Sequence, residues 1–445
     1  MTGDRRPVGR IILFAGLSLA LAGCAGWWGE RAPPPLPGKR ISVMTLERSL
    51  EPDPRLADLA VRLPPPFANA SWPQAGGVPN HAMHHLAAGG GLGEIWRVDI
   101  GRGSSDDAQL LASPVVAANR VFAMDVAGQV TAFDAKTGQT VWRTRLASKE
   151  KDSVAMTGGG LAFADGRLFA TTGFADVIAL DAANGSEIWR RGVSGPIRAA
   201  PTIFKGRVFA VTIANELHAL DSRDGRLLWT HIGITETAGL LGGASPTAEE
   251  SVVIASYSSG EVVALRIENG RVVWSDTLTA LRRSDPVSTL AHIRGRPVID
   301  RGRVIVVANS GRTVAIDLRT GARLWERPVG SAYGPWVAGE FIYVLSSNGE
   351  LVCLERRNGG IRWVSQLQRY EDEKDREDVI FWSGPVLAGD RLLVGSSHGE
   401  VWSLSPYSGK RLGRVRLGGP VFLSAVVAQE TVYILTDNAK LVALR

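Results

Sequence analysis

Cysteine is almost absent from this chain of 445 residues, which carries only Cys24 and Cys353. A disulfide framework, the usual support of small secreted domains, is therefore excluded. No internal segment has the roughly 18 consecutive apolar residues of a membrane-spanning helix, and no phosphate-binding loop or metalloprotease helix is present. No basic run is interleaved with aromatic residues, and the net charge of +6 is small for this length. We therefore expect no nucleic-acid partner.

The amino terminus has the composition of a secretory signal. Three arginines at positions 5, 6 and 10 precede an apolar run over residues 11–22. A basic start, an apolar stretch of about a dozen residues and small residues before a cut are typical of a signal peptide. The tetrad Leu21-Ala22-Gly23-Cys24 resembles the bacterial lipobox, which implies that Cys24 becomes the lipidated first residue of the mature chain. An ordinary signal peptide cut elsewhere, or an inert amino-terminal segment, is the alternative.

Three regions are expected from this start. Residues 1–23 form the lipoprotein signal peptide, residues 24–70 form a lipidated Pro-rich tether, and residues 71–445 form one folded domain. Proline triplets at positions 33–35 and 64–66 favour an extended tether. Cys353 occupies a position otherwise held by small residues, so we interpret it as a small buried side chain.

The strongest signal in the sequence is a repeat marked by tryptophan. In six copies the tryptophan follows a glycine by four positions, in a phrase such as Ala132-Phe133-Asp134-Ala135-Lys136-Thr137-Gly138. A period of about 40–50 residues rich in short β runs indicates a propeller. We expect a large flat indole at this position to pack between neighbouring sheets. The repeated tryptophans, spaced by 38 to 51 residues, are Trp96, Trp142, Trp189, Trp229, Trp274, Trp325 and Trp363.

Each repeat resolves into four strand-like runs separated by Gly, Asn and Asp. The third run of the repeat occurs eight times, and its last copy, at 440–445, has no fourth run after it. Residues 94–99 form a fourth run with no repeat before them. We therefore predict an all-β, eight-bladed β-propeller with four antiparallel strands per blade. The amino-terminal strand completes the carboxy-terminal blade and closes the ring, which removes an open sheet edge.

Two connections between blades are longer than the others, and long loops on a rigid scaffold often carry recognition. The first covers residues 233–245, and the second covers residues 278–297. We take one pair of residues from each as candidates for partner binding: Leu240 and Leu241, and His292 and Arg294. The alternative for the two leucines is that they cap the core of a blade.

Two polar clusters have no clear chemistry. His81, His84 and His85 have a spacing compatible with metal ligation, but no carboxylate or cysteine is close in sequence, so a packing or solvated role is favoured. The acidic run at 371–378 is predicted to be a solvated loop, with partner contact as the alternative. No catalytic, cofactor or metal site is predicted.

The phrase Ala-[Leu/Phe/Ile]-Asp-x-x-[Thr/Asn]-Gly-x-x-x-Trp resembles the pyrroloquinoline-quinone-type propeller repeat. With the lipobox and the eight blades, the chain resembles the BamB family, the propeller lipoproteins of the outer-membrane β-barrel assembly (BAM) machinery. The resemblance implies a non-enzymatic scaffold without a cofactor, lipid-anchored on the periplasmic face of the outer membrane. Its implied partners are the periplasmic domains of the barrel-inserting subunit and nascent outer-membrane proteins, whose folding and insertion it would assist.

The same resemblance implies that the two long connections contact the barrel-inserting subunit. Leu240 and Leu241 fall where the family carries Leu and Arg, and His292 and Arg294 fall where well-known members carry acids. The runner-up is a quinoprotein dehydrogenase, a class that resembles this chain in its repeat. Those enzymes usually have an adjacent Cys-Cys disulfide, which a single ring cysteine rules out. A periplasmic propeller that binds a ligand in its central cavity is the third possibility.

Overall fold

The computed structural model describes residues 50–146, 158–236, 239–278 and 291–445. These ranges contain 34 β-strands and one short 3-10 helix, Pro54–Leu56, and no α-helix. No helix in them has the length and hydropathy needed to cross a membrane. All strands but two belong to eight four-stranded antiparallel sheets. The predicted fold class, an all-β eight-bladed propeller, is confirmed.

The first four blades follow one another along the chain. They are formed by β2 (Val115–Ala117), β3 (Arg120–Met124), β4 (Gln129–Asp134) and β5 (Thr140–Arg145); β6 (Gly159–Ala164), β7 (Arg167–Thr172), β8 (Asp176–Asp181) and β9 (Glu187–Gly192); β10 (Thr202–Phe204), β11 (Arg207–Val211), β12 (Glu216–Asp221) and β13 (Leu227–Ile232); and β14 (Thr247–Glu249), β15 (Val252–Ser256), β16 (Glu261–Arg266) and β17 (Val272–Thr277).

The last four blades include the one that joins the chain ends. They are formed by β18 (Val298–Asp300), β19 (Arg303–Ala308), β20 (Arg312–Asp317) and β21 (Arg323–Arg327); β22 (Trp336–Ala338), β23 (Phe341–Leu345), β24 (Glu350–Glu355) and β25 (Ile361–Gln366); β28 (Trp382–Ala388), β29 (Arg391–Ser396), β30 (Glu400–Leu404) and β31 (Arg411–Arg416); and β32 (Val426–Ala428), β33 (Thr431–Leu435), β34 (Lys440–Leu444) and β1 (Glu94–Asp99). A hairpin of β26 (Tyr370–Asp372) and β27 (Glu377–Val379) lies between blades six and seven.

The eighth blade is built from both ends of the ring. Strand β1 pairs antiparallel with β34, and Trp96 lies opposite Ala443. Just beyond the strands, Gly93 and Arg445 exchange backbone hydrogen bonds of 2.9 and 2.8 Å. Strand β34 is therefore paired on both sides, with β33 and with β1, and β1 takes the outermost position of the blade.

The burial of each strand follows its position in the blade. In blade one, the third strand, β4, is almost entirely buried, whereas β5 alternates and buries only its tryptophan fully. The outermost strand packs on one face only, so an alternating pattern is sufficient there. Cys353 lies in the buried third strand of blade six, opposite Trp363, and burial raises the pKa of its thiol.

One tryptophan in each of seven blades joins that blade to the next. Nε1 of Trp96 donates a hydrogen bond of 3.1 Å to the carbonyl oxygen of Ala135 in blade one. The ring also lies against the turn of that blade, where a Cβ added to Gly138 would stand 2.9 Å from the indole. Gly138 has a φ of +74°, so this turn needs glycine for its backbone conformation and for space. The same indole-to-carbonyl bond occurs for Trp142, Trp189, Trp229, Trp274, Trp325 and Trp363.

The segment that precedes the first blade runs around the inside of the ring. Trp72 exchanges two backbone hydrogen bonds with Val116 in the first strand of blade one. The Asn80 carbonyl oxygen accepts a bond from Ile299 in the first strand of blade five. Hydrogen bonds from residues 69–86 reach the first strand of the other blades as well, through Phe163, Ile203, Ala248, Trp336, Leu387 and Val427. We name residues 69–86 the inner segment.

The last part of the predicted tether lies along blade six. The Asp53 backbone N–H donates to the carbonyl oxygen of Ile361 at 2.8 Å, and Nε of Arg362 donates to the carbonyl oxygen of Leu59 at 2.6 Å. Both partners belong to β25, the outermost strand of that blade. The signal peptide, Cys24 and the rest of the tether lie outside the described residues.

Candidate partner-binding site

The two long connections singled out in the sequence are in direct contact. The backbone N–H of Leu240 donates a hydrogen bond of 2.8 Å to Nδ1 of His292. Gly242, with a φ of +99°, lies so close to Arg294 that an added Cβ would stand 2.8 Å from the guanidinium Nε. The four candidate residues are therefore brought together at one end of blades three to five. Residues 237–238 and 279–290 of these connections lie outside the described ranges.

His292 is held in its neutral form. It is buried, and burial together with the nearby positive charges of Arg294 and Arg198 lowers the pKa of its imidazole to about 4. A neutral imidazole has one unprotonated nitrogen, and Nδ1 is that nitrogen here because it accepts the Leu240 N–H. The role of His292 in this structure is to position the first connection against the second.

Apolar side chains are exposed at the start of the first connection and in the strand and turn next to it. Ile213, Ile232 and Ile234 have exposed fractions of 43%, 68% and 59%, whereas Leu240 and Leu241 are half-buried. Asn215 links the group, because its side chain donates to the Ile234 carbonyl oxygen and accepts from the backbone of Ser258, which lies against Gly239. We name the five apolar residues the blade-three patch. The three isoleucines were missed in the sequence, although Ile232 stands at an outward position of the alternating strand β13.

Arg294 does not extend over the blade-three patch. Its guanidinium carbon lies 5.5 Å from the centre of the Tyr333 ring, and its side chain lines a cavity on the axis of the ring together with Arg198 and Arg296. Of the four candidates, the two leucines are half-buried, His292 positions the loop, and Arg294 faces inward.

The histidine cluster of the amino-terminal region has its nitrogens directed to separate partners. Nδ1 of His81 is 2.7 Å from the Pro297 carbonyl oxygen, and Nδ1 of His85 is 2.8 Å from that of Pro64. Both rings are buried, whereas His84 is half-buried. Among the described residues, no group of three or more His, Cys, Asp or Glu side chains is placed to hold a metal ion.

Two other features of the sequence fall in blade seven and beside it. Residues 371–378 are exposed and form the hairpin of β26 and β27 rather than an irregular loop. Residues 395–399 have the letters Gly-Ser-Ser-His-Gly, which match the Gly-x-Ser-x-Gly pattern of hydrolase nucleophiles. They span the end of β29 and the turn to β30, a strand-to-strand hairpin, so the strand-to-helix elbow that gives this pattern its chemistry is not formed there.

The chain has eight four-stranded blades, a repeat of this form, and a Trp that caps the turn of the next blade. These features define a propeller of the pyrroloquinoline-quinone type. Solved structures of similar fold include BamB from Moraxella catarrhalis, with a TM-score of 0.68 and 19% identity, covering 79% of this chain and 99% of that one. The quinohemoprotein alcohol dehydrogenase of Comamonas testosteroni is also similar, with a TM-score of 0.64, 13% identity and coverage of 88% and 82%. These two likenesses concern the fold.

The family follows from the sequence comparisons. The family model described as outer membrane protein assembly factor BamB matches residues 87–157 and 127–365, well over half of the chain. The chain belongs to this family. Among its relatives, outer membrane protein assembly factor BamB of Yersinia pestis is 29% identical over 77% of this chain and 86% of that protein. The BamB of Escherichia coli strain K12 is 27% identical over 75% and 84%.

Proposed function

We propose that this protein is a non-enzymatic scaffold of the outer-membrane protein assembly machinery. It binds the periplasmic domains of the barrel-inserting subunit and assists the folding and insertion of nascent β-barrel proteins. Membership of the BamB family supports the process, because the relatives are named assembly factors. The same names support a binding role over catalysis, although propellers of quinoprotein dehydrogenases share the fold.

The observation that carries the proposal is the blade-three patch. Ile232 and Ile234 are the most exposed of its residues. Ile232 ends strand β13, and Ile234 lies at the start of the first of the two connections that the Leu240–His292 bond joins. Exposed apolar residues on a rigid scaffold suit a protein interface, in which a few central side chains carry most of the binding energy. The patch is therefore the surface that we assign to the barrel-inserting subunit.

The proposed location is the periplasmic face of the outer membrane, through lipid on Cys24. The Leu21-Ala22-Gly23-Cys24 tetrad supports this part of the proposal. Stable anchoring requires more than one acyl chain, since a single chain binds a bilayer only marginally. Mass spectrometry of the mature amino terminus should detect acyl groups on Cys24, and a free amino terminus on a soluble form would contradict the anchor.

A titration of the periplasmic domains of the barrel-inserting subunit against the purified protein tests the patch. Ile234→Asp should weaken binding by about tenfold or more, because it places a charge in the centre of an apolar contact. Leu412→Asp in blade seven is the matched control, because Leu412 is 58% exposed against 59% for Ile234. Both variants should keep the melting temperature of the parent, as exposed substitutions usually do. Equal binding by the two variants would show that the interface does not lie on blade three.

A further inference from the structure

The propeller contains a cavity on its axis, with a volume of about 60 Å³. Its walls come from the segments that enter the first strand of blades one, three, four, five, six and eight, and Ala75 of the inner segment also contributes. Six blades thus supply one site, in the position where propellers and other closed rings hold ligands. The residues that carry its chemistry are arginines and serines.

Three guanidinium groups, those of Arg198, Arg294 and Arg296, line this cavity, and among the described residues no carboxylate does. None of the three forms an ion pair with any part of the chain that the structure describes. Nε of Arg198 is buried without a hydrogen-bond partner, and the guanidinium carbon of Arg294 lies 5.5 Å from the centre of the Tyr333 ring. The three arginines are half-buried, and partly desolvated cations of proteins are usually paired, so within the described residues this cluster has positive charge without a compensating carboxylate.

The electrostatic effect of the cluster is visible in its members. Burial and the charge of Arg294 lower the pKa of Arg296 to about 10. Arg296 in turn contributes, after burial, to a lowering of the His81 pKa to about 3. The pKa of an arginine is rarely lowered this far, because the guanidinium keeps its proton under ordinary conditions. Like charges held together in this way favour an anion between them.

Hydroxyl groups complete the wall. Ser113, Ser245 and Ser424 line the same cavity, and within the described residues none of their side chains has a hydrogen-bond partner. Guanidinium forks and hydroxyls together are the donor set that proteins use for phosphate oxygens. A cavity needs about 10–15 Å³ to hold one water molecule, so this cavity has room for a group of roughly five atoms.

We propose that this axial cavity binds a phosphate group, either as free phosphate or as the terminal group of a phosphomonoester, through Arg198, Arg294 and Arg296. A phosphate has five heavy atoms and a charge near −2, which fits both the volume and the excess of positive charge. The site is separate from the proposed interface with the barrel-inserting subunit, since Arg198 and Arg296 do not belong to the blade-three patch.

Isothermal titration of the mature protein with inorganic phosphate, in chloride buffer of constant ionic strength, tests the site. We expect saturable binding of a single phosphate per chain and a rise in melting temperature of about 2–4 °C at saturation. sn-Glycerol 3-phosphate, titrated in the same way, distinguishes the two sources. Tighter binding of the ester than of phosphate assigns the site to a phosphomonoester, and the reverse order assigns it to the free ion.

Substitutions distinguish phosphate binding at this site from a general effect of salt. Arg296→Met should weaken phosphate binding at least tenfold and should raise the melting temperature of the ligand-free protein, because it removes one of three neighbouring like charges. Arg198→Gln should have the same effect on phosphate binding and serves alone if Arg296→Met does not fold. Arg319→Met, in an exposed turn of blade five, is the control and should bind phosphate like the parent.

Several outcomes would overturn the proposal. One is no saturable phosphate binding at millimolar concentration, and another is binding that neither Arg198→Gln nor Arg296→Met weakens. Acetate or citrate binding in place of phosphate would assign the cavity to a carboxylate instead. All of these results are independent of whether Ile234→Asp impairs partner binding, so the site and the proposed function can fail separately.

Discussion

The backbone N–H of Leu240 and Nδ1 of His292 lie 2.8 Å apart and form the hydrogen bond that joins the two long connections of the propeller. The bond requires a neutral imidazole, because a protonated Nδ1 has no lone pair to accept with. The position of the first connection, which carries three of the five residues of the blade-three patch, therefore depends on the protonation of one buried histidine.

Acidification should weaken the fold through this histidine. The pKa of His292 is lowered to about 4 in the folded protein, against an ordinary value of about 6.5 in the unfolded chain. Between these values the unfolded chain binds more protons, so the free energy of unfolding falls as the pH drops from about 6.5 to 4, by up to roughly 3 kcal/mol from this group. Thermal melts across this pH range check the direction.

His292→Asn isolates that contribution from those of other buried histidines such as His81, whose pKa is also lowered, to about 3. An Asn side-chain oxygen can accept the Leu240 N–H but does not titrate in this range. The variant should melt near the parent at pH 7.5 and should lose less stability than the parent at pH 4.5. Identical pH profiles for the two proteins would show that His292 contributes nothing to the acid sensitivity.

Trp96 should be essential to the junction between blades eight and one. It is buried, packs against Tyr433 at 5.8 Å between ring centres, and donates to the Ala135 carbonyl oxygen. Trp96→Ala should lower the free energy of unfolding by about 3–5 kcal/mol, and Trp96→Phe, which keeps most of the apolar contact, by less. Chemical denaturation measures both. A melting curve of Trp96→Ala like that of the parent would mean that β1 does not hold the ring closed.

Two glycines in different blades should respond in opposite ways to alanine. Gly359 has a φ of +72°, and a Cβ there would stand 2.6 Å from the Trp325 ring, so Gly359→Ala should be destabilising by more than about 1 kcal/mol. Gly413 has nothing within 4 Å of such an atom, and Gly413→Ala should be neutral or stabilising by up to about 1 kcal/mol. The denaturant midpoints of the two variants measure these changes. A loss of stability for Gly413→Ala equal to that for Gly359→Ala would contradict this account.

The contact between each indole and a turn glycine also explains why blade seven lacks the tryptophan that the other seven blades have. In seven blades the indole lies on the glycine of the turn between the third and fourth strands of the next blade. In blade eight these strands are β34 and β1, which come from opposite ends of the chain and are not joined by a turn. Blade seven therefore has no turn to cover, and Gly413 stands where the tryptophan would be.

The repeat made the blades predictable, because each strand pattern recurs with its own turn. The predicted run 94–99 coincides with β1, for example, and the predicted run 440–445 ends one residue beyond β34. The inner segment could not be predicted, since its hydrogen bonds go to eight blades far away in sequence and no local period records them. The same holds for the axial cavity, which assembles arginines from two separate connections. The two long connections were found from their length alone, whereas the exposed isoleucines beside them became visible only in three dimensions.

Gentle detergent extraction and pull-down of the full-length protein from its native membrane is the most direct test of the central claim. The proposed function predicts that the barrel-inserting subunit of the assembly machinery is recovered with the parent protein and with Leu412→Asp, and is depleted with Ile234→Asp. Recovery of the lipidated protein from the outer-membrane fraction without that subunit would contradict the claim.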